Sequence, residues 1–423
     1  MTYFTRLTRS AALWLLALAC LPGAAAAQGA ERPAFGLIVG YRDAADELRR
    51  DEADRGPWAG GRERAQAQWQ RAVTRSRDRT ARLAKDTGVK VSAVGEAGRS
   101  ALMRFDKALK GRDLDDALRR VRLHPDVAWV EADVLVKRQA VPNDLDLNLQ
   151  WYLNAPASEI AGMNLPLAWD LSTGTNIVVA VVDNGVRPSH PDLAGKLVPG
   201  YDFISELAVA ADGNGRDGTP TDPGDFVNAG DLANPLFDGC VVSDSSWHGT
   251  FIAGQIGAAT NNGIGVAGIN WSARIQPVRV SGKCGALVSD LLDGTRWAAG
   301  LPVFGVNDNP TPARVINLSF GGDAACSPAY QSMVDDVRDA GALLVVAAGN
   351  NDGALKRPAD CQGVMAVGAV TRSGLKADYA SFGANVALSA PGGSGLDGIY
   401  GIDNAGTTTA GADTYGEKQG TSF

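Results

Sequence analysis

Short runs of apolar residues separated by polar, helix-favouring segments mark the first third of the chain. The predicted strands and extended segments are residues 35–41, 100–105, 127–130 and 134–136. The predicted helices are residues 44–83, with a break at Gly56-Pro57, and 114–123, whose apolar residues recur at helical spacing. The pattern predicts a small α/β unit over residues 28–140. Residues 137–143 read as an exposed, cleavable linker.

From about residue 144 the pattern changes to short, predominantly apolar runs that alternate with helical segments. The apolar runs are residues 177–182, 314–319, 343–348 and 364–369. The helical segments between them include residues 287–299 and 330–340. Strands that are apolar on both faces are typical of a parallel sheet covered by helices on both sides. The second part of the chain is therefore predicted to be an α/β domain.

The N-terminus has the pattern of a secretory signal peptide. Arg6 and Arg9 precede an apolar stretch at residues 11–21, and an Ala-x-Ala pattern ends at Ala27. The apolar stretch is shorter than the roughly 20 residues that span a bilayer, which disfavours a membrane anchor. We therefore expect cleavage after Ala27 and a secreted, extracellular protein that has no membrane attachment after cleavage.

The cysteines agree with secretion. Cys20 would leave with the signal peptide, with lipidation as a minor alternative, and four cysteines remain. An even number in an oxidising compartment favours two disulfides over free thiols or a zinc site. Four cysteines allow three pairings. We favour sequence neighbours, which close the smallest loops, and these pairs are Cys240–Cys284 and Cys326–Cys361.

Charge divides the chain at the same place as the hydrophobic pattern. Residues 1–140 hold 26 Lys and Arg against 18 Asp and Glu, a net of +8, whereas residues 141–423 hold 14 against 29, a net of −15. Opposite net charges favour association of the two parts. Nucleic-acid binding by the basic part is disfavoured, because its arginines are interleaved with acids as on a solvated helix face.

Polar residues at the ends of the predicted strands are candidates for a catalytic site. Asp183 follows the first apolar run, and Asn350 and the Phe320-Gly321 turn follow two others. In open α/β sheets the carboxyl ends of parallel strands carry the functional sites. Taken singly, an Asp in this position is more often a turn or cap residue, and Asn350 alone would read as a helix N-cap.

Two histidines lie in the second part of the chain. His248 stands in a turn that leads into a helix of small residues, and an imidazole there suits a general base for a hydroxyl nucleophile. His190 lies among two prolines and reads as a surface-loop residue. His248 is therefore the candidate catalytic histidine.

Five short motifs occur in a fixed order from about residue 144 to the end. They are Asp183-Asn184-Gly185, His248-Gly249-Thr250, Asn317-Leu318-Ser319-Phe320-Gly321-Gly322, Ala347-Ala348-Gly349-Asn350 and Gly420-Thr421-Ser422. Each is weak alone, but together they resemble the subtilisin-like serine proteases, whose catalytic residues have the chain order Asp, His, Ser. The resemblance implies a subtilisin-like three-layer α/β fold with a mostly parallel central sheet.

The resemblance also implies a role for each matching residue. Ser422 would be the nucleophile, His248 the general base and acid, and Asp183 the group that orients the imidazole. Asn350 would donate to the oxyanion together with the Ser422 backbone N–H. Protein or peptide substrates would bind in an extended conformation along the segment formed by Ser319, Phe320 and Gly321.

The resemblance assigns a function to the front unit. Residues 1–27 would be the signal peptide, residues 28–140 an inhibitory propeptide, and residues 141–423 the peptidase domain. Such a propeptide assists folding and inhibits its own enzyme within the chain, so the protein would be a zymogen. The opposite charges of the two parts agree with this docking.

Calcium is the one cofactor that the resemblance suggests. Residues 260–266 resemble the family's calcium loop, with Asp192 and Asn262 as candidate ligands. Calcium needs six to eight oxygen ligands, and Asn-Asn-Gly is equally a tight-turn signal. A second candidate is an acidic, Gly-rich loop, which otherwise reads as a solvated surface insertion. Its polar residues are Asp212, Asn214, Asp217, Asp222 and Asp225.

Three positions depart from the family pattern. Asn184 replaces the usual Ser or Thr, Phe251 stands where a second His is frequent, and Phe423 stands where Met is usual. The sequence stops one residue after Ser422, where the family continues with a buried helix. We therefore expect a truncated peptidase domain that holds Ser422 too loosely for activity.

Other function classes compete less well. An inactive fragment or a pseudoprotease that acts as a binding protein is the main alternative, although the intact catalytic residues disfavour it. The Gly-x-Ser-x-Gly of α/β-hydrolases and the His-Glu-x-x-His of zinc proteases are both missing from the sequence. The sequence thus predicts a secreted serine endopeptidase precursor.

Overall fold

A computed structural model of the chain describes residues 33–42, 61–97, 100–135, 141–395 and 397–423. The chain divides into two compact units between residues 137 and 138. The predicted signal peptide, the first part of the predicted helix 44–83 and most of the predicted linker lie outside the described residues. Within the described residues, no helix is long and apolar enough to cross a membrane.

The first unit combines a four-stranded antiparallel sheet with two helices. Its elements are β1 (Ala34–Tyr41), α1 (Gly61–Thr87), β2 (Val91–Ala97), β3 (Ser100–Leu109), α2 (Gly111–Arg122) and β4 (Val127–Val134). The strand order is β2-β3-β1-β4. Leu37 and Val39 of β1 and Leu114 and Val121 of α2 are fully buried in its core. The extended segment predicted at 127–130 lies in β4, which continues to Val134 and so includes only the first residue of the segment predicted at 134–136. β2, which alternates poorly, was not predicted.

The second unit contains a seven-stranded parallel sheet. Its strands are β5 (Val178–Asp183), β6 (Tyr201–Asp202), β7 (Arg274–Arg279), β8 (Val315–Leu318), β9 (Leu343–Ala347), β10 (Met365–Val370) and β11 (Val386–Pro391). They are arranged in the order β11-β10-β9-β8-β5-β7-β6. A separate antiparallel hairpin follows, with strands β12 (Ile399–Asn404) and β13 (Asp413–Lys418). The four apolar runs of the sequence are the strands β5, β8, β9 and β10.

Helices cover both faces of this sheet. They are α3 (Leu165–Trp169), α4 (Leu207–Ala210), α5 (His248–Gly257), α6 (Val288–Ala298) and α7 (Pro328–Asp339). Short 3-10 helices occur at Leu147–Leu149, Trp151–Leu153, Pro191–Leu193, Asp231–Ala233 and Pro235–Phe237. In β5, Ala180 and Val182 face the core shared with α6 and α7, whereas Val179 and Val181 face the core shared with α5. This alternation of buried residues produces a three-layer α/β fold.

Two disulfides lie in the second unit. They join Cys240 to Cys284 and Cys326 to Cys361, with Cα–Cα distances of 6.0 and 5.2 Å. This is the pairing of sequence neighbours that was favoured above. The carboxyl ends of β5, β8 and β9 lie at one edge of the sheet, because the three strands are parallel and adjacent. The candidate site is built at this edge.

Candidate active site

Asp183 and His248 form a close pair. Asp183 is the last residue of β5 and is fully buried, and His248 is the first residue of α5. The imidazole Nδ1 lies 2.9 Å from each carboxylate oxygen of Asp183. The backbone N–H of Asn184 also donates to Asp183 Oδ1, at 2.8 Å. A carboxylate on Nδ1 fixes the neutral imidazole with its proton on that nitrogen and leaves Nε2 free to accept another.

The surroundings of His248 raise its pKa above the ordinary value. Burial acts to lower the pKa, but the charge of Asp183 and its hydrogen bond outweigh this effect. Lys418 acts to lower the pKa and Asp225 acts to raise it. His248 is therefore tuned to hold a proton more strongly than a free histidine does.

Ser422 lies on a segment that is fixed by neighbouring backbone. The Gly420 N–H donates to the Gly392 carbonyl at 3.0 Å, and Thr421 is buried. The Ser422 hydroxyl donates to the Ser319 carbonyl at 3.4 Å, and its hydrogen bonds within the described residues do not include one to His248. Ser422 and His248 line the same cleft, and apo enzymes often form the nucleophile–base bond only with substrate.

The ring of Phe423 packs beside the candidate base. Its centroid lies 5.1 Å from that of His248 and 4.8 Å from that of Phe251. The Phe320 ring also faces the imidazole, with 6.3 Å between the two ring centroids. The weak holding of Ser422 expected above stays a prediction, because these contacts describe packing and not activity.

Asn350 is held in one orientation by Thr421. The side-chain Oδ1 accepts hydrogen bonds from the Thr421 N–H and hydroxyl, both at 2.9 Å. The Gly349 N–H in turn donates to Thr421 Oγ1 at 3.0 Å. With Oδ1 engaged, the Asn350 amide group has its Nδ2 donors left for the cleft, which this residue also lines.

The cleft has a volume of about 440 Å³, and two segments form its sides. The predicted Ser319, Phe320 and Gly321 follow β8 on one side, and Ser281 and Gly282 follow β7 on the other. The second segment was not predicted. Its signal was hidden because β7 has the sequence Arg-Ile-Gln-Pro-Val-Arg, which lacks an apolar run.

A sequence profile of the subtilase family matches residues 174–423. The chain belongs to the subtilase family. It is 43% identical over 326 residues to an extracellular protease of Xanthomonas campestris pv. campestris, a match that covers 76% of this chain and 54% of that protein. An extracellular basic protease of Dichelobacter nodosus is 42% identical over 303 residues, covering 71% of this chain and 49% of that protein.

A solved structure supports the subtilase fold. A protease from Pseudoalteromonas arctica superposes with a TM-score of 0.63 at 44% identity, covering 67% of this chain and 83% of that chain. The three-layer subtilisin-like fold predicted from the motifs is thereby confirmed. The chain spans about half the length of the curated relatives it matches.

His190 is a buried residue of this subtilase, which corrects the surface-loop interpretation. Only 1% of it is exposed. Its Nδ1 accepts the Asp192 N–H at 3.2 Å, and its Nε2 lies 3.0 Å from the Thr414 carbonyl. The ring packs edge-on against Tyr415, at 5.2 Å. The two prolines did mark a turn, but β13 covers it.

The candidate calcium loop is closed by hydrogen bonds within the chain. The Asn262 Nδ2 donates to Asp192 Oδ1 at 2.9 Å, and the Val266 N–H donates to Asp192 Oδ2 at 3.0 Å. Asn262 Oδ1 accepts the Ile264 N–H. Asp192 and Asn262 thus meet as acceptor and donor and do not present two oxygens to one ion, so this arrangement does not fit calcium. Calcium binding stays a prediction from the resemblance.

The acidic loop is occupied by internal contacts as well. Arg279 is buried and pairs with Asp202 and, at 2.8 Å, with Asp212. Asn214 donates to Asp217 at 2.5 Å. Among the described residues, the only cluster of His, Cys, Asp and Glu side chains with metal-like spacing is Cys326, Asp360 and Cys361, and its two cysteines form a disulfide.

Proposed function

We propose that this subtilase is the precursor of a secreted serine endopeptidase. The carrying observation is the pairing of buried Asp183 with His248, which lines one cleft with Ser422 and Asn350. A carboxylate, an imidazole and a hydroxyl in this order are the groups that acyl transfer to a serine requires. Protein or peptide chains are the substrates that the family membership favours.

In the proposed reaction, the Ser422 oxygen attacks the carbonyl carbon of the scissile peptide bond. His248 Nε2 takes the hydroxyl proton as the C–O bond forms, and then delivers it to the amine as the C–N bond breaks. Water repeats the sequence on the acyl-enzyme and releases the acid. Asp183 stays ionised, keeps the Nδ1 proton in place and stabilises the imidazolium.

Asn350 would stabilise the charge that develops on the substrate carbonyl oxygen. Its Nδ2 and the Ser422 backbone N–H are the proposed donors, because Thr421 occupies the Oδ1 side of the amide. In subtilisin itself, loss of the corresponding donor lowers kcat by about 10²–10³-fold. Asn350→Ala is expected to fall in that range.

The precursor part of the proposal rests on the front of the chain. Residues 1–27 would direct secretion, and residues 28–140 would act as an inhibitory propeptide for residues 141–423. Residues 28–140 hold 24 Lys and Arg against 18 Asp and Glu, a net of +6, and this charge is opposite to the −15 of residues 141–423, which supports their association. Two similar proteins are named extracellular proteases, which supports secretion.

The test is hydrolysis of a fluorogenic peptide, together with labelling by a fluorophosphonate that reacts with activated serines. The parent is assayed first, because a parent without either signal would support the weak holding of Ser422 expected above. Ser422→Ala and His248→Ala should abolish both signals. Ser243→Ala is the matched control, because Ser243 is a serine of the same cleft that lies outside the proposed Asp-His-Ser set. Persistent labelling of Ser422→Ala at another serine would overturn the assignment.

A further inference from the structure

We infer that Asn184, Asp225 and Ser246 form a positioning network that holds His248 against Asp183, an inference that rests on the proposed function. None of the three is required for proton transfer. Asn184 follows Asp183 in the chain, and Ser246 lies two positions before His248. Asp225 is bonded to both of them. The network would act by fixing where the imidazole lies.

Asp225 is the acceptor at the centre of the positioning network. Its Oδ1 accepts the Ser246 N–H at 2.6 Å, and its Oδ2 accepts the Ser246 hydroxyl at 2.6 Å. Oδ2 also accepts the Asn184 amide at 3.2 Å. Both oxygens of this carboxylate are thus engaged, which ties a loop residue to the segments that precede α5 and follow β5.

Asn184 links the two catalytic segments directly. Its side chain is buried, and its Oδ1 accepts the Gly249 N–H at 2.8 Å. Its Nδ2 donates to Ser246 Oγ at 3.1 Å as well as to Asp225. The residue after Asp183 is therefore bonded to the residue after His248. A change in its side chain would be transmitted to both.

The close approach at Gly249 shows how tightly these segments meet. A Cβ atom at Gly249 would lie 2.3 Å from the Gly185 carbonyl and 2.9 Å from Asp183 Cβ. Only glycine permits this distance. The Asn184 amide therefore reaches a backbone N–H that the fold has already brought beside β5.

The positioning network also serves as the cap of the catalytic helix. The N-cap residue of α5 is Trp247, and its side chain makes no capping hydrogen bond. The first N–H groups of a helix lack partners within the helix. Here the His248 N–H donates to Ser246 Oγ at 3.4 Å, and the Gly249 N–H donates to Asn184. The polar groups that end β5 thus fix the start of the helix that carries the imidazole.

This arrangement accounts for the departure at position 184. A serine or threonine hydroxyl, which is usual in the family, is one functional atom on a shorter side chain. Its single hydrogen can be donated to one partner only, whereas Asn184 Nδ2 donates to both Asp225 and Ser246 while Oδ1 accepts from Gly249. The amide has an acceptor and a donor group on one rigid plane, and this structure uses both.

The experiment exchanges donor and acceptor in the full chain. In Asn184→Asp an acceptor replaces the donor that faces Asp225, and in Asp225→Asn an amide replaces the central carboxylate. We expect each single variant to lower kcat by about tenfold or more, because displaced catalytic groups lose rate steeply. Asn184 and Asp225 also line the cleft, so KM is measured alongside kcat and the positioning role is read from kcat. The double variant N184D/D225N re-forms a donor–acceptor pair and should recover most of the lost rate.

A spectroscopic readout separates positioning from general damage. The chain has three histidines, so the His248 ring signals can be assigned by substitution. We expect the Nδ1 proton of His248 to exchange faster with water in both single variants and to be protected again in the double variant. The charged groups that act on His248 are Asp183, Lys418 and Asp225. Loss of the Asp225 charge should also lower the pKa of His248 in Asp225→Asn.

Two further variants keep the inference falsifiable. Asp244→Asn changes an exposed acid in the same loop and should leave kcat and the His248 signals unchanged. Ser246→Ala removes one hydroxyl from an exposed residue, so it should fold even if a buried variant does not. Unchanged kcat and unchanged His248 signals in Ser246→Ala and both single variants would overturn the inference. The NMR readout needs no peptidase activity, so failure of the positioning network is distinguishable from failure of the proposed function.

Discussion

The two histidines of the second unit share a residue type and differ in almost everything else. His248 is 22% exposed in its side chain, opens onto the cleft and faces the buried carboxylate of Asp183. His190 is enclosed, and its two ring nitrogens meet a backbone N–H and a backbone carbonyl. The carboxylate partner raises the pKa of His248, whereas the partners of His190 are uncharged backbone groups. Partner chemistry therefore separates a candidate base from a structural residue.

The largest difference between His248 and His190 should appear in the activity of their variants. His248→Ala is expected to lower kcat by a factor on the order of 10⁴–10⁶, since loss of the histidine in subtilisin itself reaches the upper part of this range. His190→Asn should keep kcat within about threefold of the parent, because it touches no reacting atom. Peptide hydrolysis measures both. Equal losses in the two variants would contradict the separation drawn above.

For stability, the histidine that matters more should be His190. His190→Ala is expected to lower the free energy of unfolding by about 2–3 kcal/mol, because it creates a cavity and leaves the Asp192 N–H and Thr414 carbonyl without partners. His190→Asn is the matched control. Its amide oxygen can replace Nδ1 as acceptor, so it should lose less. Urea unfolding gives both values, and an equal loss would show that the ring's hydrogen bonds contribute little.

The pH profile tests the environment of His248. Its pKa is raised above 6.5, and the base must be neutral, so kcat/KM should reach half its maximum above pH 6.5. Lys418→Met removes a charge that lowers this pKa, and should move the midpoint to higher pH. The stabilising contribution of protonated His248 is complete below pH 6.5 and disappears as pH rises through the folded pKa. Lys356→Met, an exposed control, should leave the midpoint in place.

The smallest effect is expected at the loop beside His190. Asp192 already accepts hydrogen bonds on both oxygens, so removal of calcium with EGTA should change the Tm by less than about 2 °C. Thermal unfolding with and without added calcium measures this. A large rise in Tm with calcium that Asp192→Asn abolishes would instead support the calcium site that the family resemblance suggests.

Sequence patterns predicted the strands that are built mainly of apolar residues. β5, β8, β9 and β10 were identified because both of their faces are covered by helices. β7 was not, because it buries Gln276 and Arg279, whose side chains bond to distant residues such as Asn309 and Asp202. A side chain that depends on partners from other segments leaves no periodic signal.

The candidate site shows the same limit. Asp183, His248, Asn350 and Ser422 were recognised from motifs, and three of them line one cleft, with Asp183 buried behind His248. The role of Asp225 was not predictable, because its bonds to Ser246 and Asn184 span 21 and 41 residues. The burial of His190 likewise depends on β13, more than two hundred residues later. Tertiary contacts decide what such residues do.

The two disulfides bear on how the cleft opens. Cys284 lines the cleft itself, and Cys326 follows the segment that forms its other side. The bridges close spans of 44 and 35 residues, and crosslinks of this length each remove about 3–4 kcal/mol of chain entropy from the unfolded state. The sides of the cleft are loops, which ordinarily open locally at low free energy. The crosslinks raise the free energy of local opening in these loops. They therefore stabilise the shape of the cleft on the sides that lie beyond the strands of the sheet.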